Sequence, residues 1–223
     1  MNTGLSSQHF IRRGFVEPQL SLNDISYDLW KDMKRILHAI QQTQSAHPDQ
    51  AAGLINAMIA LHADLQDKPA FDCAAHFACT VNRGEGPWVK RLLLQDSEMY
   101  LQLITYFPEY STPIHDYPGQ TVVNLPLSGR MCIDYYHLGH AAMESAYPIA
   151  KLRHTESHNY GVYEASMAFP WQENIQEIRA VTERCVVLSV GLIPTEATDK
   201  SWYLPISPQN ANTFFAQRLK RNE

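Results

Sequence analysis

The stretch that decides the fold is Thr112-Pro113-Ile114-His115-Asp116-Tyr117-Pro118-Gly119-Gln120-Thr121-Val122, which is followed by Leu127-Ser128-Gly129. Residues at positions i and i+2 of a strand share a face, whereas the residue between them faces the opposite way. We therefore expect His115 and Tyr117 to converge on one point, with Asp116 facing away. The Pro118-Gly119 pair predicts a turn directly after the motif.

Short strands are predicted on both sides of this motif. Residues 99–107 alternate with period two, and both of their faces are largely apolar. Further strands are predicted at 121–125, 130–136, 160–165, 175–181 and 185–193. Turn residues such as Pro108, Ser128-Gly129 and Pro170 separate them. Many short strands at this spacing favour an all-β barrel or jelly roll.

Helical periodicity is confined to the two ends of the chain. Residues 20–67 predict two helices, the first capped by Ser21 or Asn23 and the second ended by Lys68-Pro69. The tail predicts a short amphipathic helix through Phe214, Phe215 and Leu219. We therefore divide the chain into a helical segment at 1–87, a barrel at 88–200 and a tail at 201–223, all within a single domain.

The composition narrows the classes of function. Hydrophobic residues make up 45% and charged residues 18% of the 223, which predicts a packed core. The net charge of -5 argues against nucleic acid as a partner. No apolar run is long enough for a membrane span, and the amino terminus lacks the pattern of a signal peptide. Only four cysteines are present, so a reducing, cytoplasmic location is expected.

The segment from about residue 88 to 194 resembles the cupin thiol dioxygenases, the group of cysteine dioxygenase and the cysteamine and plant cysteine oxidases. Members show a Pro-Ile/Leu-His-Asp-His-Pro-Gly-Met-Thr-Val run, then Leu-x-Gly, then an Ile-His pair. This chain reads Pro-Ile-His-Asp-Tyr-Pro-Gly-Gln-Thr-Val at 113–122, Leu-Ser-Gly at 127–129 and Ile175-Gln176. The resemblance implies a mainly β cupin fold, a double-stranded β-helix or jelly-roll barrel, with an N-terminal α-helical segment.

In that family three histidines bind ferrous iron, and the resemblance carries these positions over to His115, Tyr117 and Gln176. Only His115 is of the family's residue type. The strand pattern agrees with the third position, because Gln176 shares the more apolar face of its strand with Ile178 and Ala180. A phenolate favours ferric iron, and a neutral amide is a poor ligand for a metal that prefers imidazole. Iron is therefore expected here only if the protein uses an altered site. Tyr117 is the candidate catalytic residue of such a site.

The family also holds the carboxylate of its substrate with a basic residue on the strand before the motif. The corresponding stretch contains Lys90 and Arg91, and Arg91 offers the geometry for two parallel hydrogen bonds. A small molecule that carries a thiol or a carboxylate is the expected partner.

Other histidines and cysteines are predicted to have structural or solvent-exposed positions. His154 and His158, and His137 and His140, lie among polar residues typical of loops. The series Cys73-x-x-His76-x-x-Cys79 spreads around a helix and lacks a fourth ligand, which argues against zinc. Cys132 is predicted to be a buried small residue.

Three hypotheses for function follow from the sequence. The first is a small-molecule-binding cupin whose dioxygenase activity is lost or altered. The second is an active non-haem iron thiol dioxygenase with a His115, Tyr117 and Gln176 site, or with His154 or His158 recruited to it. The third is a non-catalytic interaction protein. The first is preferred, because two of the three ligand positions carry other residues.

Overall fold

The structure of the chain is a computed structural model, and it describes residues 20–44, 47–80, 88–139, 149–171, 174–194, 200–206 and 212–220. A 3-10 turn at Leu22–Asp24 precedes three helices, α1 (Tyr27–Thr43), α2 (Pro48–Leu65) and α3 (Pro69–Thr80). Eleven strands follow in the described residues: β1 (Trp88–Gln95), β2 (Met99–Tyr106), β3 (Ile114–His115), β4 (Val122–Ser128), β5 (Met131–Leu138), β6 (Ile149–Tyr160), β7 (Ser166–Ala168), β8 (Ile175–Ala180), β9 (Cys185–Leu192), β10 (Ser201–Pro205) and β11 (Thr213–Lys220).

The strand order is that of an eight-stranded jelly roll. One sheet contains the order β2-β9-β4-β7, and the other contains β3-β8-β5-β6, with antiparallel pairing throughout. Two facing four-stranded sheets with this connectivity form the double-stranded β-helix of the cupin fold. The expected fold class, a mainly β cupin barrel with an N-terminal helical segment, is confirmed.

Three strands add to this framework. Strand β1 extends the first sheet beside β2. Strands β10 and β11 form a hairpin that pairs with β3 on one side and with β6 on the other, which closes the second sheet into a six-stranded barrel. The hairpin therefore places the end of the chain beside the motif that contains His115.

The period-two pattern of β2 sorts its side chains between two cores. Leu101 and Leu103 face the helices and pack in a cluster with α1 and α2 residues such as Met33 and Leu61. Residues on the other face, such as Ile104, face the interior of the jelly roll and pack against β5 and β8. The helical segment thus covers the outer face of the first sheet, and the site described below lies at its inner face.

Two sequence-based predictions of secondary structure are wrong. The tail forms strand β11 and not a helix, because Phe214 and Ala216 are buried in period-two alternation with exposed Phe215. The strand predicted at 160–165 does not form. Strand β6 ends at Tyr160, and Gly161 and Glu164 then form a turn closed by a backbone hydrogen bond of 3.0 Å. Helix α3 was not predicted from the sequence. It begins at Pro69, the proline predicted to end α2, whereas α2 itself ends at Leu65.

Several other predictions have an outcome in the fold. His154 and His158 were predicted to be solvated loop residues; both lie on strand β6, so the loop prediction is wrong, whereas His158 is exposed as predicted. His137 lies on β5, and His140 lies outside the described residues, as does the amino terminus through residue 19. Cys132 is buried at 4% exposure, as predicted. In the described part of the chain, no helix is both long and apolar enough to cross a bilayer.

One half-buried carboxylate joins α1 to the turn between β1 and β2. Asp96 accepts hydrogen bonds from the Trp30 indole at 2.8 Å and from the backbone N–H groups of Glu98 and Met99 at 2.9 Å each. It also forms an ion pair with Lys34 at 2.6 Å. Burial alone raises the pKa of Asp96, but the hydrogen bonds led by Lys34 outweigh it and lower the pKa from 3.8 to about 2.

We predict that Asp96→Asn lowers the free energy of unfolding by about 2 kcal/mol at pH 7, the value of a shift of this size. A lowered folded-state pKa stabilises the fold above the unfolded pKa of 3.8, and this contribution is lost as the pH falls toward 2. Urea unfolding measures both effects. Glu98→Gln, at a side chain that is 53% exposed, is the control and should lower the stability much less. An equal loss in both variants, or a difference that persists at pH 2, contradicts this assignment.

Candidate functional site

The structure brings three of the predicted site residues together inside the jelly roll. His115 on β3 and Gln176 on β8 are direct cross-strand partners. The rings of His115 and Tyr117 lie edge to face, with 5.0 Å between their centroids. All three side chains are buried, at 7%, 6% and 1% exposure for His115, Tyr117 and Gln176. The alternation of faces along the motif therefore has the geometry that the sequence predicts.

Asp116 faces away from this site, into the six-stranded barrel. Its carboxylate accepts hydrogen bonds from the backbone N–H of Ser201 at 2.7 Å and from the hydroxyl of Tyr203 at 3.0 Å. Arg218 lies 3.8 Å from the same carboxylate. This network ties β3 to the hairpin of β10 and β11. It also fixes the backbone at Asp116, so that the neighbouring residues His115 and Tyr117 both point toward the jelly roll.

The backbone of Pro113 orients the ring of His115. Its Nδ1 lies 2.8 Å from the carbonyl oxygen of Pro113. Because a carbonyl only accepts, Nδ1 carries the hydrogen in this bond, and Nε2 is the ring atom with a lone pair in the neutral form.

Tyr117 is a neutral phenol at physiological pH. Burial raises the pKa of Tyr117 to about 12, and hydrogen bonding with Gln176 lowers it by less than burial raises it. The backbone N–H of Tyr117 donates to the side-chain carbonyl of Asn174, and the Lys200 ammonium lies 4.3 Å from the centroid of the Tyr117 ring. Contacts on several sides thus hold the ring inside the barrel.

Gln176 brings an amide to the same point. It lies close enough to the phenol to lower the pKa of Tyr117, yet its Nε2 has no partner of good hydrogen-bond geometry among the described residues. A buried donor without a partner is costly, so this atom is a place where a ligand or a water molecule would bind.

These donors do not fit a ferrous ion. His115 supplies one imidazole, Tyr117 a phenol that stays protonated, and Gln176 a neutral amide, whereas ferrous sites in oxygenases use two histidines and a carboxylate or three histidines. The described residues also contain no group of three histidine, cysteine, aspartate or glutamate side chains arranged for a metal. Cys73, His76 and Cys79 on α3 likewise do not form such a group.

A small cavity opens beside His115 and Tyr117, at the mouth of the jelly roll. Its volume is about 20 Å³, which is the room that one water molecule needs. We call it the mouth pocket. Its lining among the described residues comes from β1, β2, the motif and β10: Trp88, Lys90, Tyr106, Thr112, Pro113, His115, Tyr117, Lys200 and Trp202.

The two basic candidates from the sequence lie on opposite faces of β1. Lys90 lines the mouth pocket. The Arg91 guanidinium instead lies 4.1 Å from the ring centroid of Phe77 on α3, on the helical side of the sheet. Period-two alternation explains this separation, since adjacent residues of a strand face opposite ways. Lys200, Trp88 and Trp202 were not among the predicted site residues, and the pairing of β10 with β3 is what brings Lys200 and Trp202 here.

A row of polar side chains crosses the inner face of the first sheet, and the sequence analysis missed it. Gln102, Ser189, Asn124 and Ser166 are successive cross-strand partners on β2, β9, β4 and β7. Asn124 is 1% exposed, and neither its amide oxygen nor its nitrogen has a partner among the described residues. A polar residue within the otherwise apolar strand at 121–125 was the available signal.

The remaining candidates have structural surroundings. His154 lies 3.0 Å from Ser157 and 3.6 Å from the Asp134 carboxylate, which also pairs with Arg179. Burial, followed by the nearby Asp134 carboxylate, raises the pKa of Cys132, which argues against a reactive thiolate.

No protein-family model and no curated protein matches the chain. Among solved structures, it resembles a cupin superfamily protein from Desulfitobacterium hafniense with 16% identity, over 52% of this chain and 86% of that one, at a TM-score of 0.36. A conserved protein with a double-stranded β-helix domain from Klebsiella pneumoniae shares 13% identity over 55% and 84% of the two chains, at a TM-score of 0.39. A cupin-like protein from Thermotoga maritima shares 10% identity over 52% and 74%, at a TM-score of 0.36. The fold assignment rests on the strand order and not on these likenesses.

We predict that the double variant Tyr117→His, Gln176→His binds a divalent metal at least about 100-fold more tightly than the natural sequence, because three imidazoles then share one point. Titration with Co²⁺ followed by visible absorption measures the affinity and the coordination. Tyr117→Phe, Gln176→Leu is the control, since it preserves apolar volume and adds no ligand. Equal metal affinity in the two double variants contradicts the placement of Gln176 in the third position.

Proposed function

We propose that the chain is a cupin-fold protein that binds a small anion at the mouth pocket and has lost the ferrous thiol dioxygenase chemistry of the family that its motif resembles. The observation that carries this proposal is the charge of the pocket. Lys90 and Lys200 line it, and no acidic side chain is found among its described lining residues. The whole chain carries a net charge of -5, so this local excess of positive charge departs from the average surface.

The two lysines reach the pocket from different sheets. Lys90 lies on β1 of the first sheet, and Lys200 directly precedes β10 of the second. Ammonium groups on two sides of a pocket give charge-assisted hydrogen bonds to a carboxylate, which are about twice as strong as neutral ones. Trp88 and Trp202 lie beside them and provide apolar surface for the rest of a ligand.

The size of the pocket limits the ligand. A volume of about 20 Å³ holds one water molecule, so a ligand larger than this must displace a side chain. Lys200 is the side chain placed to move, because its ammonium lies over the Tyr117 ring and an incoming carboxylate competes for the same charge. A short carboxylic acid such as 3-mercaptopropionate combines the required charge with a small volume.

The neutral phenol of Tyr117 supports the loss of iron chemistry. With its pKa at about 12, Tyr117 occupies the second ligand position as a hydrogen-bonding side chain. Gln176 supports its hydroxyl from the third position. The position of a metal is thus taken by a pair of uncharged side chains, and the mouth pocket ends on the Tyr117 ring.

We predict that 3-mercaptopropionate binds the protein, and that Lys90→Gln and Lys200→Gln each weaken this binding about tenfold, the loss expected for one charge-assisted bond. Isothermal titration calorimetry measures the affinity, and an oxygen electrode should show no uptake during the same titration. Lys151→Gln is the control, because Lys151 is an exposed β6 lysine outside the pocket. Equal affinity in all three variants, or oxygen consumption that rises with the thiol, contradicts the proposal.

A further inference from the structure

A second cavity lies at the six-stranded barrel, and among the described residues it shares no lining with the mouth pocket. Its volume is about 640 Å³. Each of the six strands, or the residue directly after it, contributes a side chain to its wall: Asp116 after β3, Tyr136 on β5, Glu156 on β6, Ile175 on β8, Tyr203 on β10 and Arg218 on β11. We call this cavity the barrel groove. A volume in this range is typical of small-molecule sites, which occur in the mouths of β-barrels.

The floor of the groove is aromatic and apolar. Tyr136, Ile175 and Tyr203 belong to one cluster with Phe214, and the edge of Phe214 meets the Tyr136 ring at 5.7 Å between centroids. Trp171, in the turn after β7, adds a flat wall. Its ring stacks on Phe169 at 5.2 Å with 14° between the planes, which fixes the orientation of the indole. The groove therefore offers a rigid aromatic face.

Hydrogen-bonding groups surround this face, and carboxylates outnumber cations among them. Arg218 is held by a hydrogen bond of 2.8 Å to the Ser201 hydroxyl and lies 3.8 Å from the buried Asp116 carboxylate. Glu156 pairs with His158 at 2.9 Å. Among the described lining residues, one arginine is thus set against two carboxylates, and no lysine is present. The groove lacks the positive excess of the mouth pocket.

We propose that the barrel groove binds a neutral, polyhydroxylated molecule of the size of a monosaccharide. A sugar ring has an apolar face of C–H groups, which packs on an aromatic ring, and an edge of hydroxyls that both donate and accept. The Trp171 ring supplies the first surface. Arg218 donates to the hydroxyl edge, and Glu156 accepts from it. The excess of one carboxylate among the described lining residues favours such a ligand over a phosphate or a carboxylate, which it would repel.

The test titrates glucose, galactose, mannose and xylose, with inorganic phosphate as the anionic probe, into the full chain. Saturation-transfer NMR and intrinsic tryptophan fluorescence detect binding. Trp171→Leu should weaken the binding of the responding sugar about tenfold, because the aromatic contact is removed. Glu156→Gln, at an exposed position that leaves the core intact, should weaken it about threefold through loss of a charged acceptor. Tyr110→Leu removes an aromatic ring that is 56% exposed and lies outside both cavities, and it should leave the affinity unchanged.

Saturable binding of a sugar that falls in the Trp171 and Glu156 variants and persists in the Tyr110 variant supports the proposal. If Trp171→Leu does not fold, the Glu156→Gln result decides. No saturable binding of any of the four sugars overturns the proposal, as does an affinity equal in all variants. Binding of phosphate alone overturns the assignment to a neutral ligand.

Discussion

The buried carboxylate of Asp116 is the constraint on which both cavities depend. It lies between His115 and Tyr117 in the chain and faces the opposite way, so fixing it also fixes the direction of its two neighbours. Its partners Ser201 and Tyr203 belong to β10, and Arg218 belongs to β11. A carboxylate at 4% exposure is stable only when it is hydrogen-bonded, and these bonds fix the motif to the hairpin whose pairing closes the second sheet into a barrel. One side chain thus joins the motif to the end of the chain.

The two sides of this carboxylate have different chemistry. On the side of the jelly roll, His115, Tyr117 and Gln176 form a compact uncharged cluster, and two lysines lie at its mouth. On the side of the six-stranded barrel, aromatic rings, two carboxylates and one arginine are among the residues that line a larger groove. In the jelly-roll site a neutral phenol lies edge to face with the His115 imidazole, and the Gln176 amide lies beside it with its Nε2 without a partner among the described residues. None of the three side chains carries the charge that would attract an ion.

The parts of this structure that were predictable follow from local patterns. Alternation of faces placed His115 and Tyr117 together, and the apolar face of β8 placed Gln176 with them. The parts that were not predictable depend on pairing between strands that are far apart in the sequence. Phe214 and Phe215 fit a helix as well as a strand, and only pairing with β6 and β10 decides between them. For the same reason, Lys200 and Trp202 carried no signal as site residues, since β10 lies 85 residues after the motif residue it contacts. Arg91 was preferred for its chemistry, although the period of its own strand separates it from Lys90.

We propose that the uncharged cluster of His115, Tyr117 and Gln176 has taken the place of a metal ion. Metal analysis of the natural protein, purified from iron-supplemented cells without chelators, tests it most directly. The account predicts an iron content far below one ion per chain and no visible absorption band. About one iron per chain, with the visible charge-transfer band of a ferric tyrosinate, would show that Tyr117 is an anionic ligand and would contradict the account.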